Sequence, residues 1–287
     1  FTSHEQGKDY YNKMKSIWSE KDVVIVEGAG SRLGVGNDLL NEAKSVKRII
    51  CPIKDAFSKY KEILNTNLSL EEILEARALM KKGHLTYAGI LLFGKFPTKY
   101  LPNARVRLLK FEGNKMETGK RLNIIKEINY ENAIPRIIED IKREMHSQLR
   151  DFQYFAEDGG FKTIPEYPEF PWFEGIVNAI THRNYSLQGD CIRISLYDDH
   201  LEIFSPGKLP NIVTLENMKY TRYSRNPRIA RVLTEFGYVK ELNEGVKRIY
   251  DEMQESFLKD PIYTEPNSSS VLLTLENSIV SRKARIE

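Results

Sequence analysis

The sequence predicts an α+β fold, with a short βαβ segment in front of a larger α/β region. An apolar run at 22–27 ends in a glycine-rich turn, and a helix-like segment and a second apolar run at 48–52 follow. This order is typical of a βαβ, Rossmann-like unit. Further along the chain, helix-periodic residues at 174–182 precede two alternating runs at 191–197 and 200–204, as in a helix followed by a β-hairpin.

The composition favours a globular protein in a reducing compartment. The length of 287 residues is ample for a packed core, and the contents of 41% hydrophobic and 29% charged residues are ordinary for a globular protein. The net charge of +3 is too small to indicate nucleic-acid or membrane binding by bulk charge. Two cysteines do not suggest a disulfide framework. No apolar run approaches the roughly 18 residues of a membrane span, so we expect a cytoplasmic protein without membrane contact.

Periodicity and turn residues place the other elements. Ser69 is a plausible N-cap for an amphipathic helix over 68–80, and Gly237 suits the end of a helix over 228–236. The prolines at 165, 168 and 171 predict an extended segment over 164–171. The other predictions are a strand at 104–111, a long helix over 133–155, a loop or short strand within 119–129, a helix from Gly245 to Glu255 and a closing strand at 270–275.

The polar face of the helix at 174–182 is the first candidate site. Glu174, Asn178 and His182 stand at i, i+4 and i+8, so a helix places all three on one face. A carboxylate, an amide and an imidazole in that arrangement could hold a metal-bound phosphate and a water molecule. The same spacing also fits the partly exposed polar face of an ordinary amphipathic helix, and the spacing alone does not choose between them.

Five phrases in order resemble a known family. They are 85–95 (LTYAGILLFGK), the helix 174–182, the turn 205–210 (SPGKLP), 223–230 (YSRNPRIA) and 241–249 (ELNEGVKRI). With them, residues from about 68 to 285 resemble the RecG-related transcriptional regulators, which are often described as ATP-dependent helicase-like proteins. The resemblance implies an α/β sandwich of the gyrase and histidine-kinase ATPase type, with ATP and Mg²⁺ as cofactors.

The resemblance also implies roles for individual residues. Glu174 would orient or deprotonate the attacking water as the catalytic group, and Asn178 would ligate Mg²⁺. The implied cofactor-binding residues are Asn178, His182, Asn184, Ser205, Gly207, Arg225, Asn226 and Gly245. The turn at 204–207 has no acidic residue, and 242–245 keeps a single glycine, where the wider fold has an aspartate and several glycines.

A second resemblance covers the beginning of the chain. The phrases at 21–28, 31–39, 47–52 and 55–57 resemble the GT-D-type glycosyltransferases over residues 9–64. That resemblance implies sugar transfer from a nucleotide-sugar, with a metal held by an acidic motif that we expect upstream of Phe1. We predict three regions: a glycosyltransferase-like βαβ fragment at 1–64, an α+β region at 65–165 and a divergent ATP-binding core at 166–287.

The segment 219–231 is basic and rich in tyrosine. Its five basic residues recur at every third position, namely Lys219, Arg222, Arg225, Arg228 and Arg231. It could form a lid over nucleotide phosphates or a patch for nucleic acid. Because a period of three does not keep one helical face for long, we favour the lid or a scaffold.

These observations predict an ATP-binding regulatory protein, with weak ATP hydrolysis tied to transcriptional regulation. The alternatives are a glycosyltransferase-related protein that uses a nucleotide-sugar, a nucleotide-free scaffold and a nucleic-acid-binding module. Candidate partners are a nucleotide, DNA through domains outside this chain, and a second copy of the chain as a homodimer. We do not expect helicase activity, because the chain lacks the GxxxxGK[ST] motif.

Overall fold

The computed structural model describes residues 54–156, 159–210, 212–221, 223–239 and 245–277. The predicted βαβ segment at 22–52 lies outside these residues, as do Arg222 and the stretch 240–244. The described part is an α+β fold, as predicted, with one large mixed sheet and packed helices.

The elements are numbered within the described residues. The helices are α1 (Lys54–Leu64), α2 (Leu70–Ala76), α3 (Tyr87–Phe93), α4 (Pro97–Tyr100), α5 (Ile134–Gln148), α6 (Glu169–His182), α7 (Pro227–Glu235) and α8 (Gly245–Glu255). The strands are β1 (Met80–Lys81), β2 (His84–Leu85), β3 (Val106–Phe111), β4 (Ile124–Tyr130), β5 (Asp151–Phe155), β6 (Phe161–Pro165), β7 (Ile192–Leu196), β8 (His200–Pro206), β9 (Ile262–Thr264) and β10 (Ser270–Glu276). Short 3₁₀ turns occur at Gly119–Arg121 and Pro266–Ser268.

The large sheet has six strands in the order β4-β3-β7-β8-β10-β9. The pair β3–β7 is parallel, and the other neighbours are antiparallel. The register aligns four buried residues across the sheet: Leu108, Ile194, Ile203 and Leu273. Because side chains alternate along each strand, this row lies on one face, and that face receives the helices.

Helix α6 packs on this row. Its residues Ile176, Val177 and Ile180 are buried, and they supply the apolar stripe. A Cβ on Gly175 would lie 2.7 Å from Leu273 Cδ2 and 2.9 Å from Ile203 Cδ1, so the missing side chain lets the helix approach the sheet closely. The flanking helices α5 and α8 both contact α6. Helix α6 is therefore held by the sheet on its apolar side and by α5 and α8 at its flanks.

A second cluster joins the beginning of the described chain to its later part. Tyr60 of α1 is fully buried, and its ring lies 5.4 Å from that of Phe93 in α3 and 5.2 Å from that of Phe236 after α7. The Tyr60 hydroxyl hydrogen-bonds the carboxylate of Glu235, which also pairs with Arg77 at 2.9 Å. Helix α1 is thus part of the common core.

The predicted long helix over 133–155 is wrong after Gln148. Helix α5 ends at Gln148, where Leu149 adopts an extended conformation (φ −73°, ψ 148°), and 151–155 form strand β5, paired with β6. Leu149 and Phe152 continue the helical apolar spacing by coincidence. In β5 the exposure alternates instead, with Phe152 and Tyr154 the less exposed residues.

The extended segment over 164–171 is also shorter than predicted. Strand β6 ends at Pro165 and α6 already begins at Glu169, after Pro168. Pro171 fits the first turn because the N–H that it lacks has no helical partner there.

Other local predictions are confirmed. Asp198 and Asp199 connect β7 and β8, and strand β4 falls within 119–129 apart from its last residue. Ser69 forms a capping box with Glu72, and Gly237 has a φ of +78° just after α7. Within the part of the chain that the structure describes, no helix combines the length and apolar character needed to cross a membrane.

Candidate functional site

The predicted site residues fall into two groups along α6. Glu174, Asn178 and Gly245 lie together beside the beginning of α8. His182, Asn184, Gly207, Arg225 and Asn226 lie around the end of α6. Glu174 and His182 are eight residues apart, which is about 12 Å along a helix. The structure therefore keeps the three residues on one helix but separates the two ends of the face.

The first group is built around a buried carboxylate. Glu174 is only 9% exposed, and Asn178 Nδ2 donates a hydrogen bond of 3.1 Å to its Oε1. A Cβ on Gly245 would overlap with that same oxygen, so only glycine leaves room for the carboxylate at the beginning of α8. Gly245, which the resemblance implied as a cofactor-binding residue, thus lies against the polar face of α6.

The surroundings of Glu174 change its acidity. Burial raises the pKa of its carboxyl, and the hydrogen bond from Asn178 and the charge of Arg248 offset this only in part. The N-terminal end of α8 favours a negative charge at the same place. A carboxylate with a raised pKa next to an amide is chemically suited to accept a proton from water.

Arg248 is a neighbour of this group that the sequence did not single out. It lies one turn after Gly245 in α8, its guanidinium is 3.9 Å from the Phe170 ring centre, and it pairs with Glu252 at 2.7 Å. Its position three residues after the glycine is the only sequence signal that could have identified it.

The second group closes the end of α6. Asn226 Nδ2 donates to the carbonyl oxygens of Thr181 (2.9 Å) and Arg183 (2.8 Å), so the 224–226 turn is tied to the helix end. Gly207 has a φ of +111°, and a Cβ there would lie 2.6 Å from Asn184 Cβ. The missing side chain lets the turn after β8 approach the segment after α6, where Asn184 N–H donates to the Pro206 carbonyl oxygen at 2.8 Å.

His182 is neutral in this environment. Its Nδ1 is buried and has no hydrogen-bond partner among the described residues. Burial, with a smaller contribution from the charge of Arg225, lowers its pKa to about 4. The imidazole is therefore uncharged at neutral pH, and one nitrogen carries a proton that it can donate.

Ser205 has a packing contact. Its buried hydroxyl donates to the carbonyl oxygen of Ala179 at 2.9 Å, which fastens β8 to α6. Because its hydroxyl is bonded to the backbone of α6, Ser205 stabilises the position of the helix.

The described members of the basic segment have separate partners. Lys219 Nζ lies 3.3 Å from the Tyr250 ring centre, Arg225 donates to the Lys208 carbonyl oxygen, and Arg231 Nε is 3.5 Å from Glu235. These three side chains contact different parts of the fold.

Across the described ranges, no three histidine, cysteine, aspartate or glutamate side chains are grouped so that they could hold a metal ion. A Mg²⁺ ion at Asn178 would have to complete its octahedral shell with water and ligand oxygens, which is common for this ion. The amide of Asn178 fits that role, because its nitrogen is the end that donates to Glu174.

Comparison with protein families defines the class of each part. Residues 189–275 match the family model "Putative ATP-dependent DNA helicase recG C-terminal". Residues 1–82 match the model "Glycosyltransferase GT-D fold". Both resemblances found in the sequence are thus confirmed over these residues, and the chain carries an ATPase-like domain behind a glycosyltransferase-like segment.

Particular relatives share the glycosyltransferase-like part. Glycosyltransferase GlyD of Streptococcus pneumoniae serotype 4 (strain ATCC BAA-334 / TIGR4) is 56% identical over 63 residues, or 22% of this chain. The probable glycosyl transferase Gly of Streptococcus gordonii is 56% identical over 54 residues, or 19% of this chain. The matched region spans 8% of the length of each relative.

A solved structure shares the fold. The DIP2311 protein from Corynebacterium diphtheriae superposes with a TM-score of 0.66 and 21% sequence identity, covering 84% of this chain and 49% of that one. At this identity the likeness concerns the fold alone.

Proposed function

We propose that this chain binds a Mg²⁺–nucleotide against the polar face of α6 and acts as a nucleotide-dependent regulatory protein. The observation that carries the proposal is the arrangement of Glu174, Asn178 and Gly245, in which a buried carboxylate and an amide lie at the N-terminal end of α8. The family match over 189–275 supports it, because Gly245 lies in the matched region and the matched strands β7 and β8 and helix α8 contact α6.

Each residue has a distinct part in the proposal. Asn178 would offer its amide oxygen to Mg²⁺, which would neutralise negative charge on the bound phosphates. Glu174, with its raised pKa, would orient a water molecule and take its proton. Gly245 leaves room for the carboxylate, and the backbone N–H groups of the first turn of α8 can approach an anionic group.

Nucleotide binding can be tested by calorimetric titration of Mg²⁺–ATP into the native protein, Asn178→Ala and Asn129→Ala. Asn129 is an exposed asparagine on the edge strand β4, which lies two places from β7 in the sheet, whereas α6 packs on β7 and β8. It serves as the matched control. We expect Asn178→Ala to bind at least tenfold more weakly, whereas Asn129→Ala binds like the native protein. Equal affinities for all three proteins would contradict the proposal.

A second proposal concerns the glycosyltransferase-like segment. We propose that it belongs to a sugar-transfer domain, because both streptococcal relatives named above are described as glycosyl transferases and are 56% identical to it. Titration with a UDP-sugar and Mn²⁺ tests this proposal. Binding that survives Asn178→Ala would place the nucleotide-sugar in the first segment, whereas the absence of binding would leave this segment without that role.

A further inference from the structure

Buried polar atoms without partners are concentrated at the C-terminal end of α6. They include His182 Nδ1, Ser224 Oγ and Arg225 Nε, none of which has a hydrogen-bond partner within the described ranges. Leaving buried donors unpaired is costly, so such atoms in a folded protein normally meet a ligand, an ion or ordered water. Three such atoms where the 224–226 turn meets the end of α6 therefore indicate a place prepared for a polar group.

The turn itself is held by other bonds. Asn226 Nδ2 already satisfies the carbonyl oxygens of Thr181 and Arg183 at the end of α6. The Arg225 guanidinium donates from Nη2 to the Lys208 carbonyl oxygen, and its Nη1 would lie 3.2 Å from a Cβ on Gly207. Arg225 is thus fixed beside the Gly207 turn, and the carbonyl oxygens of the helix end do not need its remaining donors.

The charge at this turn is positive and has no described counterion. Burial lowers the pKa of Arg225, and the electrostatic effect of the nearby Tyr223 raises it. In the part of the chain that the structure describes, no carboxylate pairs with Arg225. Two other carboxylates have different partners: Asp190 pairs with Arg193, and Glu265 accepts a hydrogen bond from the Leu209 N–H at 2.7 Å. A half-buried guanidinium usually has an anionic partner.

The chemistry differs from that of a site that reads adenine. An acidic acceptor for the adenine amino group is missing from Phe204–Ser205–Pro206–Gly207, and the nearby groups are donors instead. Arginine presents several N–H groups in a plane, and a hydroxyl and a neutral imidazole can each add one donor. This donor set matches the oxygens of a phosphoryl group.

We propose that His182, Ser224 and Arg225 form a binding site for a phosphoryl group, which is either free phosphate or a phosphate of a larger ligand. The site is separate from Glu174 and Asn178 and stands whether or not Mg²⁺–nucleotide binds there. If the nucleotide does bind along α6, its base is not read at the Gly207 turn.

The test is thermal unfolding of the full chain with inorganic phosphate in a Mg²⁺-free buffer that contains a chelator, at ionic strength matched with chloride. Adenosine and adenosine 5′-monophosphate are run in parallel. The variants are Arg225→Gln, Ser224→Ala and Arg231→Gln, and the last removes an equal charge from the more exposed Arg231 of α7. Circular dichroism establishes which variants are folded.

We expect phosphate or the monophosphate to raise the melting temperature of the native protein and of Arg231→Gln. The apparent dissociation constant should rise at least tenfold in Arg225→Gln and several-fold in Ser224→Ala. If Arg225→Gln does not fold, Ser224→Ala decides. A response to phosphate identifies a free-anion site, whereas a response to the monophosphate alone identifies the phosphate of a larger ligand.

Three results would overturn the proposal: no stabilisation by either anion, equal responses of the native protein and Arg225→Gln, or adenosine acting as strongly as its monophosphate. Asn178→Ala separates this site from the proposed nucleotide site. The Asn178→Ala protein should still be stabilised by phosphate. If it is not, the anion binds at the Glu174 end of α6, which refutes the inference but leaves the proposed function intact.

Discussion

Replacement of Tyr60 by alanine tests whether α1 is part of the folded core. Helix α1 lies in the region matched by the GT-D model, and α7, against which it packs, lies in the region matched by the RecG-related model. Tyr60 is 0% exposed, and its ring contacts Phe93 and Phe236. Helix α1 should therefore unfold together with the region matched by the RecG-related model.

The expected cost follows from these contacts. Truncation of a buried large aromatic side chain to alanine typically costs about 3–5 kcal/mol. The hydroxyl accounts for roughly 1 kcal/mol of this, because Glu235 keeps its ion pair with Arg77 when the hydroxyl is removed. Tyr60→Phe should therefore lower the free energy of unfolding by about 1 kcal/mol, and Tyr60→Ala by about 3–5 kcal/mol.

Urea unfolding followed by far-UV circular dichroism measures both values. Ile63→Ala on the same helix is the control, since Ile63 is 42% exposed and its truncation should cost less than about 1 kcal/mol. If Tyr60→Ala unfolds within about 1 kcal/mol of the native protein, α1 does not contribute to the core and the reasoning is refuted.

Three further predictions concern α6 and its neighbours. Gly207→Ala should cost about 1–3 kcal/mol in urea unfolding, because the residue has a φ of +111° and a Cβ would lie 2.6 Å from Asn184 Cβ; an unchanged midpoint would contradict this. The pKa of His182 is lowered from 6.5 to about 4, so the unfolded chain takes up the proton first as the pH falls. The free energy of unfolding that depends on neutral His182 is therefore fully present above pH 6.5 and is lost as the pH falls toward 4. Between pH 7 and pH 5 the native protein should therefore lose about 1–2 kcal/mol more than His182→Gln, whereas parallel losses would refute the assignment. Glu174→Gln should keep Mg²⁺–ATP binding but reduce any phosphate release at least about 100-fold, and an unchanged rate would exclude Glu174 as the base.

The sequence predicted the elements whose signals are local. The hairpin between β7 and β8 needed only alternation and the Asp198–Asp199 turn, and α7 needed only its apolar spacing and Gly237. The end of α5 was mispredicted because Leu149 and Phe152 continue a helical period. The pairing of β5 with β6, which decides their conformation, is a contact between strands and leaves no mark in that spacing.

The site was predictable in part for the same reason. Helical spacing places Glu174 next to Asn178, and the hydrogen bond between them follows. The contact of Glu174 with Gly245 depends on how α8 packs on α6, and the resemblance rather than the spacing pointed to it. The separation of His182 from Glu174 follows from their eight-residue spacing in one helix. The unpartnered Ser224 hydroxyl lies in the turn that Asn226 ties to the helix end, and no periodicity reveals that turn.

The most direct test of the central claim is thermal unfolding of the native chain and of Asn178→Ala with ATP, in Mg²⁺ or in chelator. A ligand that binds only the folded state at 100 times its dissociation constant adds roughly 2.7 kcal/mol, which corresponds to a rise of about 5 °C for a chain of this size. The account predicts this rise for the native protein in Mg²⁺–ATP, and little or none for Asn178→Ala or in chelator. No rise at millimolar Mg²⁺–ATP, or an equal rise in Asn178→Ala, would contradict it.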